Sequence, residues 1–231
     1  MGLDLGYASL VGDREAAGAQ GRRGRRRLSV DERRDELIEA ALDLFSRRPP
    51  EEISIDDVAA AAGASRALVY HYFGGKQELY VAALRSAAAQ LGELLKPPTE
   101  GSPLQRLALS LKRYFDFVED HAPGYLAMLR GGPASRSGEL GEIVESVRAI
   151  LLNRILKEMG LEDPSPVLRI TLRSWMAGVE TAALDWLENK DMPRDELEAL
   201  LVDQNIVLLH NAAQRDPAVM AVFNDLAAQE Q

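Results

Sequence analysis

Apolar residues recur at helical spacing along most of the chain, and no stretch alternates apolar and polar positions as a strand does. Ile38, Ala41, Leu42 and Phe45, widened by Leu37 and Leu44, give one stripe. Ser29 caps that helix with Glu32 three residues on, and Pro49-Pro50 end it. Ile53 and Ile55 tuck the connection inward. From Ser54 the pattern shortens into two small helices. Ser54 caps the first, Asp56 and Asp57 sit in its first turn, and Val58, Ala59 and Ala62 form its apolar face. Gly63 supplies the positive φ that ends it. Ser65 caps the second, with Leu68 and Val69 inward.

A longer helix follows from Gln77 to Lys96, with Leu79, Leu84, Leu91 and Leu95 apolar, then a Pro-rich loop from Pro97 to Pro103. The remainder is helical: Leu104 to His121, Gly124 to Arg130, and Glu139 to Met159 with Ile143, Val147, Ile150, Leu151 and Ile155 inside. Val167 to Asn189, Arg194 to Asn211 and a helix opened by Pro217 complete it. Gly131 to Pro133 and Ser135 to Gly138 mark a break. The pattern predicts an all-α chain with an N-terminal three-helix bundle and a larger C-terminal helical domain. Its boundaries are a disordered basic arm at 1–28, a small helical domain at 29–80, and a larger helical domain at 81–231.

Ala59, Gly63 and Val69 hold the spacing of a helix-turn-helix. Small residues let the two helices cross closely, and the second helix of such a unit enters the DNA major groove. Ser65, Arg66 and Ala67 lie at its N-terminal end, which reaches base edges. Arg66 suits a bidentate contact to guanine, and Ala67 a thymine methyl. Tyr70 and His71 are placed for phosphates. Lys76, at the start of the next helix, joins a positive charge to free N–H groups.

Composition changes the picture little. The 231 residues include 46% hydrophobic and 27% charged side chains and no cysteine, which excludes disulfides and thiolate zinc sites. The expected location is cytoplasmic. The first nineteen residues lack a signal-peptide pattern, and no apolar run is long enough for a bilayer. The net charge of −9 argues against general nucleic-acid affinity. Yet residues 22–84 are charge-balanced, and the acidic excess lies mostly beyond them. Within the basic run, Arg25, Arg26 and Arg27 read either as a solvated stretch or as an arm along DNA phosphates. No hydrolase, metalloprotease or complete P-loop motif occurs, so no catalytic residue, metal or cofactor is expected.

Leu68-Val69-Tyr70-His71-Tyr72-Phe73-Gly74-Gly75-Lys76-Gln77-Glu78-Leu79, with Ile55 to Gly63 upstream, resembles the signature of the tetracycline-repressor (TetR) family. Val69 departs from the more usual leucine. The resemblance is specific over about Asp31 to Leu84. It implies phosphate contacts at Ser54, Tyr70, His71 and Lys76, base-facing Ser65, Arg66 and Ala67, and a core role for Phe73. It also implies a homodimer through the helices at about 167–189 and 194–211, and a pocket for a small apolar or aromatic effector. A palindromic site requires a two-fold symmetric protein in any case. Tyr114, Phe117, His121, Tyr125, Met128, Arg173, Trp175 and Met176 are candidate pocket residues or plain core. The reading is a sequence-specific regulator, a ligand-released repressor binding an inverted repeat. A small-molecule-binding protein and a non-specific architectural DNA binder stand as alternatives.

Overall fold

The computed structural model describes residues 29–130 and 138–230, apart from the side chains at 128 and 130. The predicted arm with Arg25, Arg26 and Arg27, and most of the break after Arg130, lie outside the described residues. Ten α-helices make up the described chain, with one 3-10 turn at Pro50–Glu52.

Helix α1 (Val30–Arg47) starts with the predicted box: Glu32 N–H donates to Ser29 Oγ and Ser29 N–H to the Glu32 carboxylate. α2 (Ile55–Ala61) has a second reciprocal cap, in which Asp57 replaces the usual longer acid. α3 (Arg66–Tyr72) opens on Ser65, whose Oγ accepts from Leu68 N–H. Between α2 and α3, Gly63 has φ +58°. There the Ala64 N–H reaches the Ala59 carbonyl at 2.8 Å and the Gly63 N–H the Ala60 carbonyl at 3.2 Å. Two carbonyls of the last turn of α2 are thus satisfied in a turn that a side chain at position 63 would strain. Leu37, Ala41, Phe45, Val58, Ala59, Val69, Phe73 and Leu79 close the small core of this unit.

α4 (Lys76–Leu94) runs on from that core across the expected boundary at 80/81. Its Val81 and Leu84 pack with Ile143 of α7 (Gly138–Glu158), so one helix belongs to both regions. α5 (Pro103–Asp120), α8 (Pro166–Asn189), α9 (Arg194–Ala213) and α10 (Pro217–Ala228) build a second, larger core around Phe115, Leu168, Leu172 and Leu201. Arg194 ties α9 to α5 through Asp116 and Glu119. α6 (Ala122–Arg130) lies against α1: a Cβ on Gly124 would come within 3.0 Å of the Phe45 carbonyl oxygen. One expected core residue is misplaced. Ile150 is 46% exposed, and Leu152 and Leu156 take the inward face of α7 instead. That segment is apolar on two sides, so spacing alone does not choose the register.

Candidate nucleic-acid interface and adjoining cavities

The start of α3 presents what a base-reading helix needs. Ser65, Arg66, Ala67, Tyr70 and His71 are all exposed, while Val69 between them is fully buried. The burial of one side fixes which side is free. Arg66 is not a loose side chain. Its Nη1 donates to Asp56 Oδ2 at 2.7 Å, and its guanidinium lies 5.5 Å from the centre of the Tyr70 ring. Hydrogen bonding to Tyr70 and the charge of Asp56 hold its pKa above the ordinary value. An exposed pair of this kind adds little stability. It does set the direction of the one arginine on this helix.

The predicted phosphate contacts flank it. Ser54 is exposed, but its hydroxyl already donates to Asp57 at 2.7 Å. Asp57, held below the ordinary carboxylate value by Ser54 and then Arg48, fixes that geometry. Lys76 Nζ donates to the Glu51 carbonyl at 3.2 Å, which brings the first residue of α4 beside the loop leading to Ser54. Gly75 gives α4 no side-chain cap. The Glu78 carboxylate of its first turn accepts from Gly74 N–H at 2.8 Å and closes the turn before it. Phe73 is buried, with the Arg34 guanidinium 5.2 Å from its ring centre.

The candidate pocket residues do not form one constellation; they divide among three cavities. Tyr114, Phe117, His121 and Tyr125 line a cavity of about 100 Å³ whose far wall is Leu42 and Phe45 of α1. Trp175 and Met176, again with Tyr114, line a larger one of about 420 Å³ among α5, α7, α8, α9 and α10. Arg173 lines a third space with Met176 between α7 and α8 and pairs with Glu145. The Met128 side chain lies outside what is described.

Polar groups mark the walls between the cavities. The Tyr114 and Tyr125 hydroxyls share a hydrogen bond, and burial pushes both phenols well above their ordinary pKa. His121 stacks on Phe117 at 4.2 Å, and its Nδ1 donates to the Phe117 carbonyl. Arg148 grips both Glu180 oxygens, with Nε to Oε1 at 2.8 Å. Sequence reasoning missed that pair. The two residues stand 32 apart in the chain, and nothing in either local pattern signals a partner.

Two family models match the chain. "Bacterial regulatory proteins, tetR family" covers residues 37–83 and "Tetracyclin repressor-like, C-terminal domain" covers 103–208. A solved tetR-family transcriptional regulator from Streptomyces coelicolor is 44% identical, with a TM-score of 0.83 over 88% of this chain and 92% of that one. The HTH-type transcriptional activator FasR of Mycolicibacterium smegmatis is 29% identical over 82% of this chain and 86% of its own. The regulator BetI of Brucella anthropi is 39% identical over a shorter stretch, 33% of this chain and 40% of its own. Solved relatives share the all-α architecture. The chain belongs to the TetR family of helix-turn-helix transcriptional regulators.

Proposed function

We propose that this DNA-binding regulator is a ligand-released repressor that binds an inverted-repeat operator as a homodimer. The observation that carries the reading is the smaller cavity, walled by α1 of the DNA-binding unit on one side and by α5, α6 and α7 on the other. A molecule entering it changes how the two regions sit against each other. Release follows only if the ligand binds the DNA-incompetent arrangement more tightly, since equal affinity for both shifts nothing.

Two α3 helices reading successive major grooves need a two-fold partner. α8 and α9 offer the surface: Ile170, Leu200, Val207 and Leu208 are exposed large apolar residues, Val207 at 65%. We assign the dimer contact to this pair of helices, base contacts to Ser65, Arg66 and Ala67, and phosphate contacts to Ser54, Tyr70, His71 and Lys76. We assign no catalytic role, and we place the protein with the chromosome in the cytoplasm.

Selection of sites from a random DNA pool with the purified full chain, at near-physiological salt, tests this. One inverted repeat is the expected result. Recovery of no motif, with binding that fades as salt rises, would overturn it in favour of non-specific binding. The sign of regulation has a second reading, because one relative covering most of the chain is named an activator. Transcription from a promoter carrying the selected site decides between them: it falls with added protein for a repressor and rises for an activator.

A further inference from the structure

The start of α2 carries an acid that its own helix does not use. Asp56 and Asp57 both stand in the first turn, but the reciprocal cap with Ser54 is made by Asp57. Asp56 reaches across to α3 instead. Its Oδ2 accepts from Nη1 of Arg66, ten residues on, at 2.7 Å. Both side chains are 60% exposed. Among the described residues, Arg66 is the only hydrogen-bond or ion-pair partner of the Asp56 side chain.

Two neighbours therefore hold the Arg66 guanidinium. Asp56 takes a hydrogen of one nitrogen, and the Tyr70 ring, one turn along α3, lies 5.5 Å away. A guanidinium has five N–H donors in one plane. With Nη1 on Asp56, the Nε–Nη2 edge still offers two parallel donors. That pair matches O6 and N7 of guanine, whereas adenine presents one acceptor and one opposed donor there.

An unheld arginine on a DNA-facing helix has a competing choice. The nearest phosphate attracts it whatever the sequence, and a contact of that kind carries no base information. A carboxylate at its side offsets the pull of the phosphate and keeps the fork directed at the bases.

We propose that Asp56 is a specificity-determining residue of the DNA interface, which positions Arg66 from α2 so that α3 selects guanine over adenine at one base pair of each half-site. Asp56 acts through Arg66 and touches no base itself. This deepens the assignment of Arg66 as a base contact and rests on it. A plainer role for Asp56 is a negative charge that suits the N-terminus of α2. That role acts alike on every DNA sequence, with or without Arg66.

The test is equilibrium competition binding by the full chain. The DNA is the inverted repeat recovered from the random pool and copies of it with adenine in place of each guanine. Arg66→Ala identifies the base pair whose guanine preference it removes. At that base pair, Asp56→Asn is expected to cut the preference for guanine over adenine by about three- to fivefold. In the Arg66→Ala background the same substitution is expected to change it by less than about 1.5-fold. Asp56→Ser repeats the measurement if the asparagine variant does not fold. An unchanged or sharpened guanine preference in the Asp56 variant, beside a lost one in Arg66→Ala, would overturn this proposal alone. So would an equal effect of Asp56→Asn in both backgrounds, which would mean that residue 56 works through the stability of α2. Unchanged base preferences in Arg66→Ala would sink the base-contact assignment and this proposal with it.

Discussion

The DNA-binding unit and the C-terminal region are both helical, yet they are held together in opposite ways. In the first, three serine caps and the Gly63 turn satisfy helix ends within a few residues. Its core is small and closed, with Val69, Phe73, Leu37 and Ile53 at or near zero exposure. In the second, longer helices leave space between them, about 420 Å³ in one place, and polar ties run between distant segments. A reading head must hold its side chains in one geometry. The region proposed to admit a ligand keeps volume unfilled, at the expense of packing contacts. The molecule separates these demands and joins them through α4 and the contact of α6 with α1.

The sharpest way to break this comparison is to open a hole in the closed core and fill one in the open region. Phe73→Ala should cost about 3–5 kcal/mol, because the helices around Phe73 have no room to collapse further. Val179→Phe adds volume on the wall of the cavity of about 420 Å³. It should change stability by less than about 1 kcal/mol, where the same change in a close-packed core costs roughly 1–3 kcal/mol. Chemical denaturation of both variants measures this. Similar losses at the two sites would mean that the cavity is not usable space.

The next effect is on recognition. Arg66→Ala should weaken binding to the selected site by about 1–3 kcal/mol and relax preference at one base pair of each half-site. Asp56→Asn, which removes the charge facing the guanidinium, should relax the same base pair by no more than about fivefold. Lys76→Ala should weaken all sequences alike and flatten the salt dependence by about one unit of slope. Competition binding with single-base variants, repeated over a salt series, separates these roles. A change of preferred sequence in the Lys76 variant would reverse the assignment.

These residues show why one region was legible in the sequence and the other was not. Ser29, Ser54, Gly63 and Ser65 act on atoms three to five residues away, so a linear pattern carries their meaning. The exposed face of α3 follows from Val69 alone once the helix is set. In the C-terminal region the sequence reports which residues are apolar, not whether the space between them is filled. Tyr114, Trp175 and Arg173 thus looked like one set and lie around three cavities. Ile150 was placed inward on a segment with two apolar sides. Asn205, buried on the same stripe of α9 as Leu201 and Leu209, was not singled out in the sequence.

A cap can be tested more gently than a core, and Ser54 gives the cleaner case. Ser54→Ala removes the acceptor for Asp57 N–H and should cost about 1 kcal/mol. The partner in that cap adds a pH dependence whose sign is fixed. Asp57 has an ordinary value of 3.8, lowered in the folded chain by Ser54 first and then by Arg48. A carboxylate with a lowered folded pKa contributes stability that is fully present above its unfolded value and is lost as pH falls through the folded one. Asp57→Asn should therefore lower Tm at pH 7, and the gap to wild type should shrink as the pH is taken below about 4. Glu119 and Glu145, lowered by Lys190 and Arg173 respectively, titrate in the other region and are untouched by the substitution. They tie α5 to the end of α8 and α7 to its middle, so acid loosens the C-terminal region through several long-range pairs at once. Thermal melts of the two chains at pH 7 and pH 3 read the Asp57 contribution by difference. A gap that stays constant across that range would show that the α2 cap works through shape alone, with no part played by the charge on Asp57.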